Sequence, residues 1–386
     1  MRHSANSGGH APIEIRHGFG QPEREVGRRH PERSVAISTG EGRPSARRPR
    51  RRLKIALLVD AIEVSRDDPQ FEAGNDPATA KMEHHIAAGL RRLGHDVSVY
   101  PVEISRRRRF LGLPSERPDL CFNLVEQLFY DRRLSSNVPA LLELLDIPYT
   151  GCSSIGISVA LDKAGSKQIL ARAGLATPGF AVVPVGSKAP GGLGFPAIVK
   201  PRFGGGSEGI TLSSVVHDRR SLAERVRYVH EHFRADAICE EFIPGRELSV
   251  GVLGVGRKAT VLPVRETVFG SAATGGPAIA TDRVKHSASY RRRWNVSYQR
   301  AVLDSEVERE VQTFCRQAFR FLELSGYVRF DLRWSERRGP VFLEVNPNPD
   351  LSPQVFGVMA SWAGLDYEML LDAIIGLAFV RRRAAA

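Results

Sequence analysis

The chain has 386 residues, an ordinary apolar content of 42% and a formal net charge of +12. That length suggests two or three domains with substantial cores. No run approaches the roughly 18 apolar residues of a membrane helix, and the N-terminus lacks the apolar segment of a signal peptide, so we expect a cytoplasmic protein.

The positive charge lies mainly at the two ends of the chain. Residues 1–52 contain twelve arginines and five glutamates, a run of three arginines starts at Arg381, and about +2 remains between them. A basic tail is more often solvated than a specific nucleic-acid reader, so nucleic acid is expected, if at all, only at the N-terminal tail. Residues 1–52 also lack apolar periodicity, which predicts disorder.

Cysteine is sparse and widely spaced. The four cysteines are Cys121, Cys152, Cys239 and Cys315. None forms a CxxC pair and each has apolar neighbours, which predicts buried, reduced thiols.

An α/β pattern begins abruptly at Leu53. Apolar runs typical of strands alternate with segments of helical spacing, and Gly94 is placed to end the first helix. The predicted strands span residues 53–59, 95–102 and 119–125, and the predicted helices span residues 78–93 and 138–145. This alternation predicts an α/β layer with largely parallel strands.

A second unit begins near Gly151. Its predicted helices span residues 162–173, 221–232, 305–322 and 365–380, and its predicted strands include residues 195–200 and 238–241. More strands are expected from Glu247 onward, with a long polar loop from about residue 269 to residue 294. The last helix is too short to span a membrane, and its apolar face is expected to pack on a core.

Two segments near the C-terminus carry oxygen ligands suited to a metal. Asp331 ends one strand-like run, and Glu344 and Asn346 follow in another, thirteen and fifteen residues later. Residues two apart on a strand share a face, and a neighbouring strand would bring Asp331 alongside them. Two carboxylates and an amide oxygen suit magnesium-bound nucleotide. The alternative is a solvated polar strand face.

A glycine-rich loop follows a lysine that ends a buried strand. The strand is Ile198-Val199-Lys200-Pro201, and Gly204-Gly205-Gly206-Ser207 comes soon after it. Backbone amides can close on an anion where side chains are absent, so phosphate binding is predicted, with Ser207 as a hydroxyl donor. A simple flexible turn is the alternative. Downstream, a strand and turn at residues 240–247 suit adenine and ribose recognition.

Taken together, these segments resemble the ATP-grasp superfamily, in particular its D-alanine–D-alanine ligase branch. The resemblance covers roughly residues 53–380 and rests on an ordered set of motifs. In chain order these are Pro148-Tyr149-Thr150-Gly151, Leu161-Asp162-Lys163 with Lys167, Ala173-Gly174-Leu175-Ala176-Thr177-Pro178, Val199-Lys200-Pro201, Cys239-Glu240-Glu241-Phe242, Glu247, Arg329-Phe330-Asp331 and Leu343-Glu344-Val345-Asn346.

The resemblance implies a mixed α/β and α+β architecture, the ATP-grasp fold. A basic tail (residues 1–52) would precede a Rossmann-like pre-ATP-grasp α/β domain (residues 53–150). The nucleotide would lie between two α+β subdomains, a small lid subdomain (residues 151–245) and a catalytic subdomain (residues 246–386). A homodimer is expected from the resemblance alone.

The resemblance also implies roles for individual residues, with ATP and Mg²⁺ or Mn²⁺ as cofactors. The implied nucleotide-binding residues are Lys163, Lys200, Gly205, Gly206, Glu240, Glu241, Phe242, Ile243 and Glu247. The implied metal ligands are Asp331, Glu344 and Asn346. The implied catalytic residues are Arg329, which steadies the acyl phosphate and tetrahedral intermediate, Lys285, which reaches the terminal phosphate, and Ser207 of the closing loop.

The family's chemistry implies a ligase without a protein nucleophile. A substrate carboxylate attacks the γ-phosphate of ATP to give an acyl phosphate and ADP, and an amine then displaces phosphate to form an amide. Positioning and charge neutralisation dominate such phosphoryl transfer. The loops at residues 202–209 and 270–294 are candidate lids that exclude water, with ordinary surface loops as the alternative.

The substrate half departs from the family pattern. The glycine pair that follows the first strand in D-alanine ligases is absent, and Glu63 is the candidate carboxylate there. Glu126 lies where the family has His-Gly, His286 stands for a tyrosine, as in depsipeptide-forming variants, and Asp350 replaces a glycine. Together with Ser352, these residues are the candidate substrate contacts.

Three functions remain open at this point. The first is a carboxylate–amine ligase whose substrates are not two D-alanines. The second is a true D-alanine–D-alanine or D-alanine–D-lactate ligase of cell-wall synthesis. The third is an ATP-binding regulator without activity, against which the complete set of metal ligands, lysines and Arg329 argues.

Overall fold

A computed structural model describes residues 51–65, 67–72, 80–102, 113–270 and 279–385. Within these ranges the chain forms thirteen strands and eleven α-helices, and the strands build three sheets. The expected disordered tail falls almost wholly outside the described residues and stays a prediction.

The first sheet is parallel and has three strands in the order β2-β1-β3. Its strands are β1 (Lys54–Asp60), β2 (Asp96–Val102) and β3 (Leu120–Asn123). They are mostly apolar and buried, as expected for a parallel sheet covered on both faces. The accompanying helices are α1 (Met82–Arg92), α2 (Leu113–Glu116) and α3 (Asn137–Leu144). The predicted parallel α/β layer is confirmed.

The end of the chain returns to this first sheet. The last two helices are α10 (Phe356–Trp362) and α11 (Tyr367–Ala385). Leu370, Leu371 and Ile374 are fully buried in the same apolar cluster as Ile55 of β1. The close approach of α11 to α1 requires Gly89, where an added methyl group would lie 2.5 Å from Leu371 Cδ1. The last helix therefore packs on a core, as predicted.

The second sheet is antiparallel and has four strands in the order β4-β7-β5-β6. Its strands are β4 (Phe180–Val183), β5 (Ala197–Pro201), β6 (Val215–Val216) and β7 (Ala237–Glu241). Helix α6 (Arg219–Phe233) buries Leu222, Val226 and Val229 against it, at helical spacing. Asp218 caps this helix by accepting a hydrogen bond from the backbone N–H of Ser221.

The third sheet has six strands, five of them in the order β11-β10-β8-β12-β13, with β9 paired to β8. They are β8 (Arg246–Val255), β9 (Lys258–Val261), β10 (Arg265–Phe269), β11 (Val296–Arg300), β12 (Ser325–Ser335) and β13 (Gly339–Pro347). Helices α4 (Ser154–Leu161), α5 (Lys163–Arg172) and α9 (Ser305–Phe321) contribute to the apolar core on one face. Because side chains alternate along a strand, the polar positions of β8, β12 and β13 face the other way.

The segment before β11 differs from the predicted polar loop. Residues 279–294 contain two short helices, α7 (Asp282–His286) and α8 (Ala288–Arg293). Each has a hydroxyl N-cap, because Thr281 accepts from the N–H of Val284 and Ser287 accepts from the N–H of Tyr290. Residues 271–278 of this expected loop lie outside the described residues.

The cysteines are free and buried, as predicted. Among the described residues, no helix is both long enough and apolar enough to cross a membrane.

Candidate active site

A cleft of about 960 Å³ lies between the polar face of the third sheet, the second sheet and the ends of the first sheet's strands. Most of the predicted site residues line it. They are Glu63, Glu126, Lys200, Gly205, Gly206, Ser207, Glu240, Glu241, Phe242, Ile243, Glu247, Lys285, Arg329, Asp331, Glu344, Asn346 and Asp350.

Three predicted residues are not among those lining the cleft. Lys163 is buried beside it, where its Nζ donates to the carbonyl oxygen of Gly204 at 2.6 Å and lies 4.0 Å from Glu344 Oε2. Ser352 donates its backbone N–H to Asp350 Oδ1 at 2.8 Å. His286 is the last residue of α7.

Strand register explains why the polar side chains meet. Ser249 of β8 pairs with Asp331 of β12, which pairs with Glu344 of β13. Arg329 pairs with Asn346 in the next row of the same face. Directly opposed residues of neighbouring strands point to the same side of a sheet, so these five side chains form one polar patch. The predicted pairing of the Asp331 and Glu344 strands is confirmed.

Asp331 is the centre of this patch because four hydrogen bonds converge on its carboxylate. Its Oδ1 accepts from Arg329 Nε at 2.8 Å and from Ser249 Oγ at 3.0 Å. Its Oδ2 accepts from Arg329 Nη2 and Asn346 Nδ2, both at 2.9 Å. Burial acts against the charge of Arg329, but Asp331 outweighs it and raises the pKa of the guanidinium. The bidentate pair fixes the plane of Arg329.

The donor set fits a hard cation, with one condition. Glu344 and the Asn346 amide oxygen offer oxygen ligands, and a methyl group added at Gly205 would lie 3.7 Å from Asn346 Oδ1. Asp331 already accepts four hydrogen bonds, which is about the capacity of a carboxylate, so a metal on Asp331 requires one donor to turn away. Within the described ranges, no group of three or more His, Cys, Asp or Glu side chains suits a metal. The predicted metal ligands comprise two carboxylates, Asp331 and Glu344, and the side-chain amide of Asn346.

Three lysines concentrate positive charge beside Glu344. Burial opposes ionisation of Glu344, but Lys163, Lys200 and Lys285 outweigh burial and lower the pKa of its carboxyl to about 2. Burial lowers the pKa of Lys163 itself to about 8. The resulting site is cationic and largely desolvated, which suits polyphosphate.

Glu240 forms a buried ion triad with two lysines, Lys167 and Lys200. Glu240 is 1% exposed, and its two carboxylate oxygens each lie 3.0 Å from a lysine Nζ, Oε1 from Lys167 and Oε2 from Lys200. Lys167 Nζ also donates to the carbonyl oxygen of Leu343 in β13. Glu240 thus links the second sheet to helix α5. Adenine binding by Glu240 stays a prediction, and the structure gives its carboxylate two lysine partners.

The predicted ribose and adenine residues lie along the same wall of the cleft. Glu247 Oε2 accepts from Arg333 Nη2 at 2.8 Å, while burial raises the pKa of Glu247. Ile243 is buried, and the Arg333 guanidinium lies 5.9 Å from the centre of the Phe242 ring. Glu241 is exposed and accepts from Arg338 Nη1 at 2.9 Å.

The glycine-rich loop is tied to the segment that carries Lys285. Ser207 Oγ donates to the carbonyl oxygen of Ala280 at 2.9 Å, and the N–H of Asp282 donates to the carbonyl oxygen of Ile210 at 3.1 Å. Gly206 adopts a φ of 69°, a backbone conformation that glycine accepts without strain. The two predicted lids therefore contact each other over the cleft.

Carboxylates gather at the end of the cleft nearest the first sheet. Glu63 pairs with Lys81 Nζ at 2.7 Å, and Glu126 pairs with Arg132 Nη1 at 2.8 Å. Burial raises the pKa of Glu83, which also lines the cleft, to about 7. The predicted substrate residues Glu63 and Glu126 are therefore close to basic partners.

Several cleft or core residues were not predicted as site residues: Asp60, Lys81, Glu83, Arg132, Lys167, Ser249, Arg265, Arg291 and Arg333. A strand assignment over 265–269 would have placed Arg265 on the polar face. Lys167 belongs to a motif that carries the resemblance but was given no role, and the others come from residues distant in sequence.

Comparison with known proteins agrees with this architecture. Residues 169–376 match the family model described as the D-ala D-ala ligase C-terminus. An uncharacterised protein of Sinorhizobium fredii is 32% identical, over 77% of this chain and 87% of its own length. A D-alanine–D-alanine ligase of Polaromonas sp. is 34% identical, over 75% of this chain and 82% of its own.

A solved structure shows the same fold. The D-alanine–D-alanine ligase of Bacillus anthracis complexed with ATP gives a TM-score of 0.65 at 21% identity, over 86% of this chain and 100% of the other. The fold is thus that of ATP-grasp ligases, as predicted. The chain belongs to the D-alanine–D-alanine ligase family. It is an ATP-dependent ligase of the D-alanine–D-alanine ligase-like type and acts on small molecules.

Proposed function

We propose that the protein joins a carboxylate to an amine through an acyl phosphate. The substrate carboxylate oxygen attacks the γ-phosphorus of ATP, and ADP leaves. The amine nitrogen then attacks the acyl carbon, inorganic phosphate leaves and the nitrogen loses a proton. The observation that carries this proposal is the oriented Arg329 guanidinium, fixed by Asp331 in the same cleft as Lys200 and Glu344.

In this proposal the cationic residues of the cleft have separate roles. Lys163 and Lys200 bind the phosphates of ATP, and Lys285 approaches the terminal phosphate from α7. Arg329 stabilises the negative charge that develops on the acyl phosphate and on the tetrahedral intermediate. Its planar, permanently charged guanidinium is suited to two oxygens at once.

The remaining nucleotide contacts follow the cleft wall. Phe242, Ile243 and the strand edge at Glu241 would hold adenine, and Glu247 would accept the ribose hydroxyls. Glu344, Asn346 and Asp331 would hold Mg²⁺, which neutralises phosphate charge when bound. The loop carrying Gly205, Gly206 and Ser207, with the segment at 279–294, would exclude water from the acyl phosphate.

The domain arrangement belongs to the same proposal. Residues 53–150 would form the N-terminal domain, and the nucleotide would lie between residues 151–245 and residues 246–386. The second sheet with its glycine-rich loop and the third sheet with its polar patch support this division. A homodimer and a cytoplasmic location remain predictions.

We infer that the carboxylate and amine are not two D-alanines. Asp350 lines the cleft where a small residue would leave room for a substrate carboxylate, and its charge would repel that group. Glu63, Glu83 and Glu126 instead line the end nearest the first sheet, where they favour a cationic amine. Glu126 and Glu63 are the candidate amine contacts, and His286 and Ser352 remain candidates near the acceptor.

The experiment is a product assay with magnesium-ATP. D-Alanine, D-lactate, other amino and hydroxy acids and small peptides are supplied singly and in pairs, and ADP, AMP, phosphate and pyrophosphate are measured. The Arg329→Met variant should lose about 100-fold or more in kcat, because a donor to developing charge is removed. Arg338→Met changes an arginine on the exposed rim and should stay within about twofold of wild type.

Each alternative gives a different result. Most rapid turnover with two D-alanines, or with D-alanine and D-lactate, would favour the cell-wall ligase. ATP binding without turnover across the panel, unchanged in Arg329→Met, would favour a regulator. AMP and pyrophosphate as products would contradict the acyl-phosphate mechanism.

A further inference from the structure

One arginine in the cleft has no role in the chemistry proposed above. Arg265 of β10 pairs with Ser249 of β8, which pairs with Asp331 of β12, so its side chain belongs to the same polar patch. It lines the cleft and is 9% exposed. Its position is therefore in the same row of the sheet as Asp331, two strands away.

Arg265 has no direct counter-charge among the described residues. No carboxylate there forms an ion pair with its guanidinium, and its buried Nε has no hydrogen-bond partner. Burial lowers the pKa of this guanidinium, yet arginine stays charged in proteins, and Asp331 and Asp350 favour its charge only from beyond ion-pair distance. A buried cation without a direct counter-charge is unfavourable, and a ligand anion would satisfy it.

The residues around Arg265 fix its guanidinium at the surface of the cleft. The group lies 4.0 Å from the centre of the Tyr298 ring, a cation–π arrangement that fixes its plane. Arg291 lies on the same ring at 6.0 Å, and its Nη1 donates to the carbonyl oxygens of Val284 and Lys285, both at 2.9 Å. Two arginines thus share one aromatic platform, and the second is tied to α7, which carries Lys285.

The local strand pairing adds to the cost of this arrangement. Arg265 pairs directly with Arg300 of β11, and like charges in opposed positions destabilise a sheet. A ligand anion would offset the repulsion.

The anion is not explained by ATP. The charged groups that act on Arg265 are Arg329, Asp331 and Asp350, whereas Lys200 belongs to the second sheet across the cleft. Lys163 and Lys200 act instead on Glu344 and Glu240, toward the second sheet. Arg265 therefore belongs to the substrate end of the cleft.

We propose that Arg265, with Arg291, binds a second acidic group of a substrate, so that one partner in the ligation is an amino dicarboxylic acid. This inference rests on the proposed function and names its substrate class. One carboxylate of this substrate reacts or lies at Arg329, and its other carboxylate lies between Arg265 and Arg291. The amine is free to face the end of the cleft that carries Glu63, Glu83 and Glu126.

The test compares each dicarboxylic acid with its amide. Aspartate and asparagine, glutamate and glutamine, in both enantiomers, and D-alanine are supplied with magnesium-ATP, alone and in pairs, to wild type, Arg265→Met and Arg257→Met. Met keeps the length and apolar stem of arginine, and Arg257, exposed in the turn between β8 and β9, is the control. Binding of the same ligands to protein loaded with Mg·ADP is measured by calorimetry.

Wild type should prefer one dicarboxylic acid over its amide by about 100-fold in kcat/KM, because a site built for a charged partner rejects the analogue that lacks it. Arg265→Met should reduce that preference to below about tenfold with an unchanged KM for ATP, and Arg257→Met should keep it. Equal use of acid and amide by wild type, faster use of D-alanine, or a changed KM for ATP alone would overturn the inference.

The calorimetry separates this inference from the proposed function. Tighter binding of the acid, lost in Arg265→Met but without ADP formation, would support the inference and contradict ligation. Ligation with equal binding of acid and amide would support the proposed function and contradict the inference about Arg265. No difference in binding and no turnover would overturn both.

Discussion

Glu240 shows how a single buried residue serves the whole phosphate site. It pairs with Lys167 and Lys200 at once, from a strand of a different sheet than the one bearing Glu344, and the triad keeps a net positive charge. A carboxylate shared by two buried lysines fixes both ammonium groups, because neither can be left unpaired without a large free-energy cost. The lysines are thus positioned before ATP arrives.

Replacing Glu240 should therefore be costly. Glu240→Gln removes the shared counter-charge and should lower the free energy of unfolding by about 3 kcal/mol. Glu241→Gln, at the exposed neighbouring position, should cost less than about 1 kcal/mol because surface ion pairs contribute little. Urea unfolding of the two variants measures both values. Equal, small losses would show that the triad does not hold the lysines.

The Glu83 carboxyl should make stability depend on pH. Its pKa is raised to about 7 by burial, so between about pH 4.5 and pH 7 the folded state holds a proton that the unfolded state has released. Stability should then fall as pH rises through this window, by at most about 3 kcal/mol for this group. Glu83→Gln should flatten the decline relative to wild type, whereas the exposed Glu231→Gln should not. Parallel unfolding curves for all three proteins would contradict the assignment.

At the scale of elements, the alternation of apolar and polar residues was enough to predict the strands that carry the expected metal ligands. The pairing of Asp331 with Glu344 follows from two runs of period two with a short connection, and the structure has that register. The short helices α7 and α8 were missed because their N-cap residues, Thr281 and Ser287, lie in a polar segment that is typical of a loop. Arg265 was missed because no motif surrounds it. Lys167 was part of a recognised motif, but its pairing with Glu240 follows only from the folded chain.

The contact between the two loops over the cleft predicts joint closure. Binding of magnesium-ATP should slow amide hydrogen exchange in residues 202–210 and 279–286 together. Ser207→Ala removes the hydrogen bond to Ala280 and should raise the KM for ATP several-fold while weakening protection of both segments. Ser221→Ala, in the N-terminal cap of α6, is the control and should alter neither. Protection of one loop without the other would contradict coupled closure.

On the scale of the whole molecule, residues of all three sheets and their connecting loops converge on one cleft. Helix α11 joins the core of the first sheet, so the third sheet is held against the N-terminal unit by the end of the chain. The order of motifs was sufficient to predict the ATP-grasp fold. The substrate end was predicted only in part. Glu63, Glu126 and Asp350 were found as departures from the family pattern, whereas Glu83 and Arg265 lie outside every motif and join them only in the folded chain.

The acyl phosphate is the central claim, and oxygen transfer tests it most directly. The amino acid that supports the fastest ADP release is labelled with ¹⁸O in its carboxyl groups, and the phosphate released with magnesium-ATP is analysed by mass spectrometry. We predict one ¹⁸O atom in each phosphate, because the carboxylate oxygen that attacks the γ-phosphorus leaves with it. Unlabelled phosphate, or AMP with pyrophosphate, would contradict the mechanism.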